Sequence, residues 1–134
     1  MRIVLDTNVF ISGIFFSGPP SKILQAWRAS KIQIALSKEI IEEYQRVGGE
    51  LSSKFPSVDV DPIIEMLTIY GDLFETSENS ISVCEDPDDN KFIECAIASN
   101  SKIIVSGDKH LLNISGHQEI TVLKPRDFLD NYIL

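Results

Sequence analysis

Ile3, Val4 and Leu5 form a short apolar run that stops at Asp6, Thr7 and Asn8, the pattern of a buried strand ending in polar groups. Val9, Phe10, Ile11, Ile14, Phe15 and Phe16 follow as a dense apolar set. They predict a short buried helix, capped by Thr7 or Asn8 and broken by Ser17-Gly18-Pro19-Pro20. Ser21 is placed to cap a helix carrying Ile23, Leu24, Ala26 and Trp27 and ending near Ser30. Ile32, Ile34 and Leu36 alternate with Gln33 and Ala35, predicting a second strand. Ser37 then opens a helix with Ile40, Ile41, Tyr44 and Val47 on its apolar face. Gly48-Gly49 weakens that helix and predicts a bend before a continuation over 50–55.

Asp61-Pro62 begins another helix through Ile63, Ile64, Met66, Leu67 and Tyr70, with the proline suited to the first turn. A short strand or extended segment is expected at 73–75. The acidic stretch 85–90 leads into a helix with Phe92, Ile93, Ala96 and Ile97 inward. Residues 102–105 form a continuous apolar strand, followed by a short helix through Leu111 and Leu112, a last strand at 120–123 and a closing helix at 125–134. Strands and helices alternate. The expected fold is therefore α/β, a three-layer α/β/α sandwich with a mainly parallel central sheet, as one domain over 1–134.

Two of these strands run directly into an acid: Ile3-Val4-Leu5-Asp6 and Ile103-Ile104-Val105-Ser106-Gly107-Asp108. In a parallel sheet both acids lie at the carboxyl edge, where ligands of open α/β sheets bind. The helix that begins at Asp86 to Asp89 leads into the second of these strands, so it starts at the same edge. The helix after the 32–36 strand starts there too, and Glu43, three residues after Ile40 and four before Val47, borders its apolar face. Glu39 suits the helix dipole and Glu42 faces solvent. Asp6-Thr7-Asn8 alone reads first as a helix cap, and Asp108 could merely cap the Leu111-Leu112 helix; their matching places turn the reading toward a site.

Charge and composition narrow the chemistry. The formal net charge is −8, from 12 basic and 20 acidic residues, which argues against a broad grip on phosphates and leaves room for a metal ion to meet them. Converging carboxylates without histidine or cysteine suit Mg²⁺ or Mn²⁺ and not zinc. Such a cluster repels itself without an ion, so raised carboxyl pKa values and loss of activity in chelator are expected. Cys84 and Cys95 have no metal spacing and predict no disulfide. Lys22, Lys38, Lys91, Lys109 and His110 stand where a phosphate backbone would pass, but form no basic cluster; His110 and His117 are expected at the surface, and Trp27 and the phenylalanines in the core. No apolar run suits a membrane span or a signal peptide, so the expected compartment is the cytoplasm.

Four stretches carry a resemblance in order along nearly the whole chain: residues 3–9 (IVLDTNV), 36–44 (LSKEIIEEY), 86–96 (DPDDNKFIECA) and 103–112 (IIVSGDKHLL). Together they resemble the PIN domain family, and more narrowly its branch of toxins from toxin–antitoxin systems. The resemblance implies a PIN fold and a Mg²⁺- or Mn²⁺-dependent endoribonuclease. The family's four acids fall on Asp6, Glu43, Asp89 and Asp108, with Asp86 and Asp88 beside the third. Its small polar residue before the last acid falls on Ser106, where threonine is more usual. Thr7, Asn8 and Ser106 are expected to orient carboxylates or water rather than ligate. The resemblance also implies an RNA substrate, an antitoxin partner and a homodimer or higher homo-oligomer.

Rival readings are weaker. A haloacid-dehalogenase-like enzyme needs a second aspartate at the position held by Asn8, and a receiver domain needs a strand-end lysine that is not evident. A PIN-like scaffold that binds RNA or a partner without cleaving is the alternative, and retention of all four acids argues against it.

Overall fold

The structure is a computed structural model that describes residues 1–76 and 87–133. Among these residues five parallel strands form one sheet: β1 (Arg2–Leu5), β2 (Gln33–Leu36), β3 (Asp72–Leu73), β4 (Ile103–Val105) and β5 (Thr121–Leu123), in the order β3-β2-β1-β4-β5. Ile3 pairs with Ile34, and Val4 and Leu5 with Ile104 and Val105. The chain steps outward from β1 to β3, then returns to the other side of β1 for β4 and β5. The strand order therefore reverses between β1 and β4, which opens a crevice at the carboxyl ends of those two strands.

Helices flank this sheet as expected of an α/β sandwich: α1 (Thr7–Phe15), α2 (Pro19–Arg28), α3 (Lys38–Lys54), α4 (Asp61–Tyr70), α5 (Asn90–Ala98), α6 (Lys109–Leu112) and α7 (Pro125–Phe128). α1 packs on α2 and α3, and α3 on α4, while α5 packs across β1, β2 and β4. Ile3, Val4 and Leu5 are fully buried, each contributing about 2 kcal/mol of apolar burial. Asp6 and Thr7, at the end of this strand, are buried with it.

Several local expectations change. Ile34, Ala35 and Leu36 of β2 are all buried, because helices cover both faces of the parallel sheet. α2 begins at Pro19 after Gly18, whose φ of 118° only glycine adopts readily; Ser21 lies within it and does not cap. Asp6, and not Thr7 or Asn8, caps α1. α3 runs through Gly48-Gly49 without a break, since Gly48 is where Val60 and Ile11 close on the helix: an added Cβ would meet Val60 Cγ2 at 3.1 Å and Ile11 Cδ1 at 3.3 Å. The closing segment is one α turn, α7, that widens into a π turn at Leu129–Ile133. Phe10, Phe92, Phe128 and Trp27 are core residues, but Phe16 and Phe55 are exposed and meet edge to face. His110 and His117 are half-buried, not superficial.

Candidate active site

A cleft of about 220 Å³ opens at the carboxyl edge, lined by Asp6, Thr7, Asn8, Glu43, Arg46, Val47, Asp88, Asp89, Phe92 and Asp108. All four sequence-predicted acids are among them. They arrive from four separate elements, and three share one local cause. Asp6, Asp89 and Asp108 each occupy the N-cap position of a helix: α1, α5 and α6 respectively. Capping and site-building are thus compatible, because a carboxylate has two oxygens. Asp6 Oδ1 accepts from the backbone N–H of Val9 at 2.9 Å while Oδ2 accepts from the Ser106 hydroxyl. Asp108 Oδ1 accepts from the N–H of His110 at 2.7 Å. Asp89 closes a 3₁₀ turn, Pro87–Asp89, and its side chain makes no capping bond.

Ser106 links two of the acids. It is fully buried, donates to Asp6 and accepts from the backbone N–H of Asp108 at 2.9 Å. Thr7 donates to Glu43 Oε2. Each hydroxyl thus bonds a carboxylate of the cleft, whereas Asn8 lies exposed at the rim. Asp88 and Asp89 both line the cleft, Asp89 buried and Asp88 exposed; Asp86, like Cys84, lies outside the described residues.

Glu43 does turn inward, with a side chain 14% exposed. Tyr44, read from the sequence only as an apolar residue, anchors it. Tyr44 is fully buried, stacks on Phe10 at 4.2 Å between ring centroids and donates its hydroxyl to the Leu5 carbonyl at 2.5 Å. Burial, then the Asp6 charge, pushes its phenol well above the ordinary value, so it stays a donor. A tyrosine among isoleucines on a helix face was the available signal, since a buried hydroxyl needs a partner. Lys91 also differs from expectation. It contacts Glu43 at 2.6 Å instead of lying open to a phosphate backbone, and Arg46 stands 3.8 Å from the same carboxylate.

Burial raises the Asp6 carboxyl above its ordinary value near 3.8; hydrogen bonds from Ser106 and Val9 oppose the rise, and the charges of Asp108 and Glu43 add to it. An oxygen-only donor set under mutual repulsion fits a hard divalent cation. Among the described residues, no three acids, histidines or cysteines yet stand close enough together to hold one. The fit is one of donor chemistry and convergence.

A PIN domain family model matches residues 2–110. The chain belongs to the PIN domain family. The matched span runs from β1 into α6 and so includes all four acids. Among similar proteins, an uncharacterised protein of Methanocaldococcus jannaschii is 31% identical over 146 residues, covering 98% of this PIN chain and 92% of that one. A crystal structure of VapBC2 from Rickettsia felis, bound to a DNA fragment from their promoter, matches with a TM-score of 0.52 at 17% identity, covering 92% of this chain and 98% of that one. At that identity the likeness concerns the fold. None of the described helices is long and apolar enough to cross a membrane.

Proposed function

We propose that this PIN domain is a Mg²⁺- or Mn²⁺-dependent endoribonuclease, with Asp6, Glu43, Asp89 and Asp108 as its acidic site. PIN domains are generally nucleases, and the observation that carries the reading is the convergence of these acids at the strand-order reversal beside β1. When bound, the ion supplies charge for the phosphodiester and lowers the pKa of water. Asp6, Glu43, Asp89 and Asp108 would hold it, with Asp6 and Asp108 each fixed by a capping bond at a helix start. Ser106 keeps Asp6 in one rotamer and ties it to the Asp108 backbone. Thr7 and Lys91 hold Glu43 at the wall. Arg46, 63% exposed at the rim, would meet the RNA backbone.

The chain then acts as a single domain over 1–134 in the cytoplasm. A toxin role, with an antitoxin protein partner and a homodimer or higher homo-oligomer, is supported by the fold shared with the VapBC2 structure. The test is incubation of single-stranded and structured RNA with the purified chain and Mn²⁺ or Mg²⁺, beside Asp6→Asn and a chelator control. Cleavage lost in both controls supports the reading. Cleavage that survives either one overturns the site. No cleavage of any RNA favours a PIN-like module that binds RNA or a partner, a reading that draws on the capture of Glu43 by Lys91.

A further inference from the structure

Both oxygens of Glu43 are already engaged by the protein. Oε2 accepts from Thr7, and Oε1 lies 2.6 Å from Lys91 Nζ. Arg46 also reaches Oε1, at 3.8 Å, but is 63% exposed, whereas the Lys91 side chain is only 20% exposed. Exposed ion pairs contribute little, and Arg46 belongs to that class. An enclosed pair is different: each charge is costly if left alone, so the contact persists unless another charge replaces one partner. Lys91 comes from the start of α5, two residues after Asp89, and Glu43 from α3, so this contact joins two walls of the cleft. An ion drawn to Asp6 and Asp108 would meet Glu43 already neutralised by a cation of the chain's own.

We propose that Lys91 is a built-in counter-cation of the cleft. Its ammonium competes with a divalent cation for Glu43, setting how tightly the cleft takes that ion, and it fastens α5 to α3 while the ion is absent. Lys91 acts through Glu43 and is a positioning residue. The inference rests on the reading of the cleft as a site for a divalent cation.

The test needs no nuclease assay. Mn²⁺ uptake is followed by the paramagnetic resonance signal of free Mn²⁺, and melting is recorded in chelator and in saturating Mn²⁺. The full chain is compared with Lys91→Met, Glu43→Gln, the double variant, and Lys109→Met, an exposed lysine beside Asp108. Lys91→Met should tighten Mn²⁺ binding about tenfold and lower the melting temperature in chelator, a gap that closes when Mn²⁺ saturates. In the Glu43→Gln background the same change should have no effect on binding, and Lys109→Met should shift it less than about twofold. Lys91→Arg should restore wild-type binding, and Lys91→Gln serves if the methionine variant does not fold. Unchanged or weaker Mn²⁺ binding in Lys91→Met overturns the proposal, as does equal tightening in the double variant relative to Glu43→Gln alone. A wild-type chain that takes up no Mn²⁺ overturns the metal reading and this inference together; uptake without coupling between Lys91 and Glu43 overturns this inference alone.

Discussion

The hydroxyl of Tyr44 donates to the main-chain carbonyl of Leu5 at 2.5 Å, from a helix to the last residue of the central strand. Each partner is the immediate neighbour of an acid: Glu43 precedes Tyr44, and Asp6 follows Leu5. One buried hydrogen bond thus sets the spacing of two carboxylates that are 37 residues apart in the chain.

Tyr44→Phe keeps the ring that stacks on Phe10 and removes only this donor. Urea unfolding should show a loss of about 1–2 kcal/mol. Nuclease activity should fall more than stability alone explains, because Glu43 loses its register against Asp6. A variant with wild-type turnover would separate the hydrogen bond from the site.

Asp6→Asn should abolish cleavage and yet stabilise the ion-free protein near neutral pH. The folded chain holds the Asp6 proton more tightly than the unfolded chain does, since burial raises this carboxyl. Its contribution to stability is therefore greatest below the ordinary value near 3.8, and falls as pH rises through the raised folded value. Melting curves in chelator, from about pH 3.5 to about pH 7.5, should show the variant gaining on wild type with rising pH, by about 3 °C at the upper end. Parallel pH profiles would contradict the raised Asp6 carboxyl.

Ser106→Ala removes the oxygen that holds Asp6 and receives the Asp108 N–H. Loss of a group that orients a ligand commonly costs about ten- to a hundredfold in metal affinity or activity. Turnover measured at saturating Mn²⁺ and Mn²⁺ affinity should both fall, with a stability change near 1 kcal/mol.

The two glycines of α3 should behave oppositely. Nothing lies within 4 Å of a Cβ added at Gly49, so Gly49→Ala should stabilise by about 1 kcal/mol through helix propensity. Gly48→Ala would press on Val60 and Ile11 and should lose most or all of that gain. Thermal melts of the two variants decide it.

Much of this was legible in the chain itself. Apolar runs ending in Asp6 and Asp108, and a helix beginning at an acidic loop, depend on local periodicity and chain direction, which parallel topology converts into a shared edge. Asp89 and Glu43 needed more, since each sits among other acids. The exposure of Asp88 and the burial of Asp89 follow from a 3₁₀ turn that no periodicity announces. The cap was misplaced by one or two residues at α1, where aspartate, threonine and asparagine compete locally for the same role, and by three at α2, where proline in the first turn starts the helix before Ser21.

The sequence by itself determined the alternation of strands and helices, the parallel sheet and the edge on which the acids gather, because hydrophobic period and strand-to-acid order are local properties. Only the tertiary structure decided that β1 and β4 are neighbours at the reversal of strand order, that Tyr44 reaches Leu5, and that Lys91 closes on Glu43. These are contacts between segments far apart in the chain, set by which elements pack together and how closely. No local pattern encodes whether a lysine at a helix start meets a phosphate or an acid across a cleft.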